Sequence, residues 1–88
     1  MKEVAFGVIT FKSTHYAIQA DSTFKNEKIS FRTIPTPREI SRSCGLAIKF
    51  NLEDIEEIED IINKNNIEVN GIYKIVRDGH INKIEKLN

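Results

Sequence analysis

Cys44 is the single cysteine among 88 residues, and it stands in the stretch Ile-Pro-Thr-Pro-Arg-Glu-Ile-Ser-Arg-Ser-Cys-Gly-Leu, residues 34–46. Sulfur attacks or holds cargo as the thiolate, and an ordinary thiol is only a few per cent ionised at neutral pH. Arg38 and Arg42 lie six and two residues before Cys44. A guanidinium within about 4–6 Å lowers a thiol pKa by roughly 1–3, enough to make the anion common. A helix ending at Cys44 would act the other way, because its carboxyl end disfavours an anion by about 0.3–1 kcal/mol. A close guanidinium prevails, since a full charge outweighs a half charge at equal distance. Ser41 and Ser43 are donors for an anionic sulfur, although serines in a last helical turn mostly bond backbone carbonyls. The plain alternative is a small buried hydrophobe, and exposure of the sulfur decides between the two.

A second group is Ser13-Thr14-His15. If a helix starts there, the backbone N–H groups after Ser13 and Thr14 face outward and suit an anion. His15 would then serve as a proton shuttle for Cys44 or for that anion, or simply be a surface histidine at a helix terminus. Cys44, His15 and His80 supply at most three soft ligands without zinc-like spacing, so neither a metal nor a cofactor is expected. No Ser-His-Asp arrangement, glycine-rich phosphate loop or Cys-x-x-Cys is present. Phe6, Phe11, Phe31 and Phe50 lack the interleaved basic residues of an RNA-binding sheet and read as core.

The elements that must position these residues follow from periodicity. Val4 to Phe11 is apolar on both alternating faces and reads as a central strand. A helix follows from about His15 to Glu27, capped by Ser13 or Thr14, with Ala17, Ile18 (or Ala20) and Phe24 inward. Lys28 to Pro35 is a strand with Ile29, Phe31 and Thr33 on one side and Ser30 and Arg32 on the other. Thr36-Pro37-Arg38-Glu39 has the pattern of a capping box with proline at the first helical position, predicting a short helix over about Pro37 to Ser43. Gly45 then supplies the exit into a strand over Leu46 to Phe50, with Lys49 opposite its apolar face. Asn51 caps a helix whose Leu52, Ile55, Ile58, Ile61 and Ile62 repeat at helical period, surrounded by six acids. That acidic run reads first as a solvated face and second as a dock for a basic partner. Gly71 to Arg77 and His80 to Leu87 are strands joined by a turn at Asp78-Gly79. The order predicts one α+β domain over residues 1–88, a ferredoxin-like βαββαβ sandwich with a short extra helix before strand 3 and a C-terminal hairpin strand.

Composition narrows the classes. Thirteen basic and thirteen acidic residues balance, arguing against a general nucleic-acid or membrane-surface binder. The balance is uneven along the chain: eight basic and four acidic residues in 1–50, five and nine in 51–88. One body with two differently charged faces is expected. With no signal-peptide pattern, no membrane-length apolar run and one free thiol, the expected compartment is the cytoplasm. If both helices cover one side of the sheet, Val4, Phe6 and Val8 (or their alternates) leave apolar surface on the other. The terminal hairpin or a second copy of the chain should cover it, which predicts a homodimer.

The segment Pro35-Thr36-Pro37-Arg38-Glu39-Ile40-Ser41, followed by Ser43-Cys44-Gly45-Leu46-Ala47, resembles the signature of the putative Se/S carrier protein-like family. Phe11-Lys12-Ser13-Thr14-His15-Tyr16-Ala17 is similar to that family's first strand-to-helix turn, and the likeness runs from about Val4 to Tyr73. The resemblance implies a carrier in which Cys44 accepts sulfur or selenium as a persulfide or selenopersulfide from a donor protein and passes it to an acceptor. Arg38 and Arg42 would hold the anionic form and His15 would assist proton transfer. The resemblance implies a carrier or binding protein more than a turnover enzyme. A reading from another class is a regulatory module that binds an anion or amino acid, with no chemistry at Cys44. An accessory module docking a basic partner through the acidic helix is a third. Established small sulfur carriers often place the cysteine at a helix amino end, whereas Cys44 precedes Gly45 and a strand, so activation here rests on the arginines.

Overall fold

A computed structural model describes residues 4–38, 40, 45–79 and 81–87. The order is β1 (Val4–Phe11), α1 (Thr14–Asn26), β2 (Phe31–Pro35), β3 (Leu46–Phe50), a 3-10 turn (Leu52–Asp54), α2 (Ile55–Lys64), β4 (Val69–Asp78) and β5 (Ile81–Lys86). The five strands form one sheet in the order β2-β3-β1-β4-β5, with every neighbouring pair antiparallel. The α+β class is as expected. The strand order is not that of a bare four-stranded ferredoxin-like sheet, because β5 adds a fifth strand beside β4.

β1 is central, and both its faces are buried. On the helix side Ile9 joins Ala20 and Phe24 of α1, Ile58, Ile61 and Ile62 of α2, and Ile48, Phe50 and Ile72 of the neighbouring strands. On the opposite side Phe6 and Val8 form a second cluster with Ala47 and Ile75. Gly7 lies directly across from Phe50, whose ring occupies the space a Cβ on Gly7 would take. That absence of a side chain lets the ring lie flat against the central strand. The inward stripe of α1 uses Ala20; Ile18 is exposed.

Both helices end alike. Lys28 (φ 60) and Asn66 (φ 53) are left-handed, and the next residues, Ile29 and Ile67, return their N–H groups to Phe24 and Ile62 at 3.0 and 3.1 Å. These six-to-one closures satisfy carbonyls that the last turns leave unpaired. The first explains why β2 begins at Phe31 and not at Lys28: the chain is still leaving the helix. Asn51 caps as expected only through its backbone. Its carbonyl accepts the Asp54 N–H at 2.9 Å while its side chain makes no cap bond, and α2 proper starts at Ile55.

The expected helix over 37–43 is described only in its first turn, where the Ile40 N–H reaches the Pro37 carbonyl at 3.0 Å. Glu39, Ser41, Arg42, Ser43 and Cys44 lie outside the described residues, and with them the rest of that helix and the Thr36–Glu39 capping box. The terminal strand does not fold over the sheet as one expected cover would. Gly79 (φ 65) turns the chain within the plane, so β5 pairs with β4 and contributes Ile84 from the edge. Among the described residues, Ile40 packs on the second cluster from outside the sheet.

Thr33 and Asp21 tie the β2 edge to α1. The Thr33 hydroxyl donates to Asp21 at 2.7 Å, and Lys25 approaches the other carboxylate oxygen at 3.0 Å. Both hold the Asp21 carboxyl below the usual range, the Thr33 hydrogen bond most strongly. A lowered folded-state pKa adds stability that is present above the unfolded pKa and lost as pH falls through the folded value. Thr33→Val should therefore cost about 1 kcal/mol at neutral pH, and its urea midpoint should converge on the wild type in acid. Gly7→Ala should cost about 1–3 kcal/mol in the same measurement, because the Phe50 ring has no free space to retreat into. A midpoint unchanged in Gly7→Ala would contradict the packing described.

Candidate functional site

β1 and β2 run toward the same end of the sheet, where β3 begins. Thr10 pairs with Ala47 across β1–β3, and Pro35 with Leu46 across β2–β3. The turn holding Ser13, Thr14 and His15 therefore shares this end with the loop that contains Cys44. One further hydrogen bond closes that loop at its base, the Thr36 N–H to the Gly45 carbonyl at 3.0 Å. Ile40 packs against the cluster of Phe6, Val8, Ala47 and Ile75 on the sheet face opposite the helices.

Of the residues expected to act, Arg38 and Gly45 are exposed members of this loop. Cys44, Arg42 and Ser43 lie outside the described residues. Ser13 is the N-cap of α1, with extended backbone (φ −153, ψ 162) and a carbonyl accepting from Tyr16 and Ala17 at 3.2 and 3.3 Å. Its hydroxyl makes no cap bond, which leaves it uncommitted to the helix. Thr14 and His15 are exposed, and the His15 ring meets Tyr16 edge-on at 5.6 Å. A hydrogen bond to the Glu68 carboxylate, reinforced by its charge, raises the Tyr16 pKa and keeps that hydroxyl a donor. Shared location is what the fold supplies. Among the described residues no hydrogen bond or ion pair joins Ser13 or His15 to Arg38 or Gly45.

The sheet face beneath the loop holds residues whose charge pattern went unread in the sequence. Strand alternation puts Phe6, Arg32, Ile34, Lys49, Ile75 and Arg77 on this one face. Together with Pro37 they line a groove of about 180 Å³. The Lys49 Nζ sits 4.4 Å from the Phe6 ring centroid and the Arg77 Cζ 5.4 Å from it. Arg32 is directly opposite Lys49 across β2–β3. Each cation gains about 0.5–1 kcal/mol from the ring when exposed. Two charges within about 10 Å repel by a few tenths of a kcal/mol in water and by roughly 1.5 at an effective dielectric near 20. The ring thus offsets the crowding without neutralising it. Arg32 and Lys49 were legible as polar strand residues facing away from the helices. That they meet Arg77 over one ring depends on the strand order.

Among the described residues no helix is long and apolar enough to cross a membrane. No curated protein and no solved structure matches the chain. A family model does match, that of the "Putative Se/S carrier protein-like" family, over residues 6–74. The matched span includes Ser13 to His15 and the whole of the loop from Thr36 to Gly45, and it stops within β4. With most of its length matched, this chain belongs to the Putative Se/S carrier protein-like family.

Proposed function

We propose that this protein is a carrier of sulfane sulfur or of selenium, loaded on Cys44. The single observation that carries this reading is the family match over residues 6–74, a span that contains the one thiol of the chain. In the loading step the Cys44 thiolate attacks the terminal sulfur of a donor protein's persulfide. A new S–S bond forms at Cys44, the donor's own S–S bond breaks, and the donor leaves as a thiolate, so no outside oxidant is needed. Selenium transfer follows the same balance and yields a selenopersulfide. Discharge to an acceptor thiol is the reverse. Arg38 and Arg42 hold the anionic sulfur, Ser43 and Gly45 flank it, and His15 with the Ser13–Thr14 turn assists the proton from the same end of the sheet. Donor and acceptor are proteins that reach this loop, and the cytoplasm, which keeps a lone thiol reduced, is the compartment we assign.

The fold is read as ferredoxin-like, extended by one strand. β1 and β2 run parallel with β3 between them, and β3 and β4 run parallel with β1 between them. We also infer a homodimer, on the ground that Val4, on the face opposite the helices, remains 53% exposed. A solution mass by light scattering equal to one chain at high micromolar concentration would remove it.

The carrier reading is tested by intact mass spectrometry after incubation with a persulfide donor, alongside alkylation rate against pH. Wild-type protein should gain one sulfur, Cys44→Ser none. Alkylation should report an ionisation below that of free cysteine, moved back toward it by about 1 in an Arg38→Ala/Arg42→Ala double variant. A thiol that ionises like free cysteine and never carries the adduct would sink the reading.

A further inference from the structure

We propose that the groove beneath the loop binds a small organic anion with an apolar body, held by Arg32, Lys49 and Arg77 above the Phe6 ring. The site stands apart from the sulfur chemistry proposed for Cys44 and does not depend on it.

Charge placement is the first support. Register puts Val4, Phe6, Val8, Thr10, Arg32, Ile34, Ala47, Lys49, Tyr73, Ile75, Arg77, Asn82, Ile84 and Lys86 on one face of the sheet. The charged residues of that set are all basic. On the other face of the same strands Lys74 stands opposite Glu85, the complementary pairing that sheets favour. Arg32 opposite Lys49 is the unfavourable kind, and Arg77 adds a third charge from across the ring. None of the described residues lining the groove is acidic. The single ion pair among the described residues, Lys25–Asp21, lies elsewhere, on α1.

Shape and chemistry choose the ligand. Among the described residues the apolar lining is Phe6, Ile34, Ile75 and Pro37, and the charged lining is Arg32, Lys49 and Arg77. A bare inorganic oxyanion would give up hydration against that apolar floor and receive little in return. A molecule with one charged end and a compact hydrocarbon or aromatic body uses both parts. At about 180 Å³ the groove is smaller than the usual range for drug-sized ligands, which excludes a dinucleotide and fits a ligand of metabolite size. Lys49 and Arg77 already sit on the ring, so an anion would draw them from cation–π contact into charge-assisted hydrogen bonds, the stronger interaction.

The probe is phenyl phosphate, followed by amide chemical shifts in a nitrogen–proton correlation spectrum, with inorganic phosphate and phenol as the charge-only and body-only arms. Saturable shifts centred on Phe6, Lys49, Ile75 and Arg77 are expected, with phenyl phosphate binding more tightly than either arm. Lys49→Gln and Arg77→Gln should each weaken it about tenfold, while Cys44→Ser should bind as the wild type does. Arg77 is exposed near the end of β4, so its variant keeps the test readable should Lys49→Gln fail to fold. Shifts scattered over the surface, inorganic phosphate or phenol binding as tightly as phenyl phosphate, or an Arg77→Gln variant with unchanged affinity would overturn the proposal. Because Cys44→Ser retains this site, its failure and that of the carrier reading are separate results.

Discussion

Burial of β1 on both faces is the constraint from which the rest of the architecture follows. A strand reading Val-Ala-Phe-Gly-Val-Ile-Thr-Phe exposes apolar surface whichever way it lies. One set of side chains is covered by two helices, and the helix layer closes well because Gly7 lets the Phe50 ring pack against the backbone. Among the described residues no helix covers the other set. It is covered from within the sheet by Ile34 and Ile84 and from above by Ile40. The loop that carries the thiol is therefore also part of the packing of the central strand.

The same arrangement explains the two chemical environments of the molecule. Acidic residues ring the buried stripe of α2 on the helix layer, while the strand residues of the opposite face carry only basic groups among their charges. A net charge of zero conceals this, since averaging along the chain mixes residues that the sheet sorts by side. The division is between faces more than between halves of the chain: Arg77, from the acidic second half, lies with Arg32 and Lys49 from the basic first. Long-range attraction of an anionic partner would act on one side of the molecule.

Much of the fold was legible in the residues. The two-faced β1, the isoleucine stripe of α2 and the terminal hairpin all follow from period and turn chemistry, and they are present. The late start of β2 was not legible, because the left-handed residue that ends α1 is a lysine and lacks the usual glycine or asparagine signal. Ile18 and Ala20 both suited the inner stripe of α1, and only packing chose the smaller. For the site, residue types together with the family resemblance singled out the Cys44 loop and the Ser13–His15 turn, and register then set both turns at one end of the sheet. The groove cations could not be grouped from one sequence. Their convergence needs the register of four strands, a tertiary property.

The two edges of the sheet restrict how one copy can meet another. β2 is only five residues long and finishes at Pro35, which has no N–H to offer. β5 displays Lys83, Glu85 and Lys86 along its exposed length. Short, proline-ended and charged borders are the devices that discourage strand-by-strand growth into fibres. Association of this protein with itself is thereby steered away from continuing the sheet and toward contact through broad surfaces. That leaves open-ended stacking disfavoured.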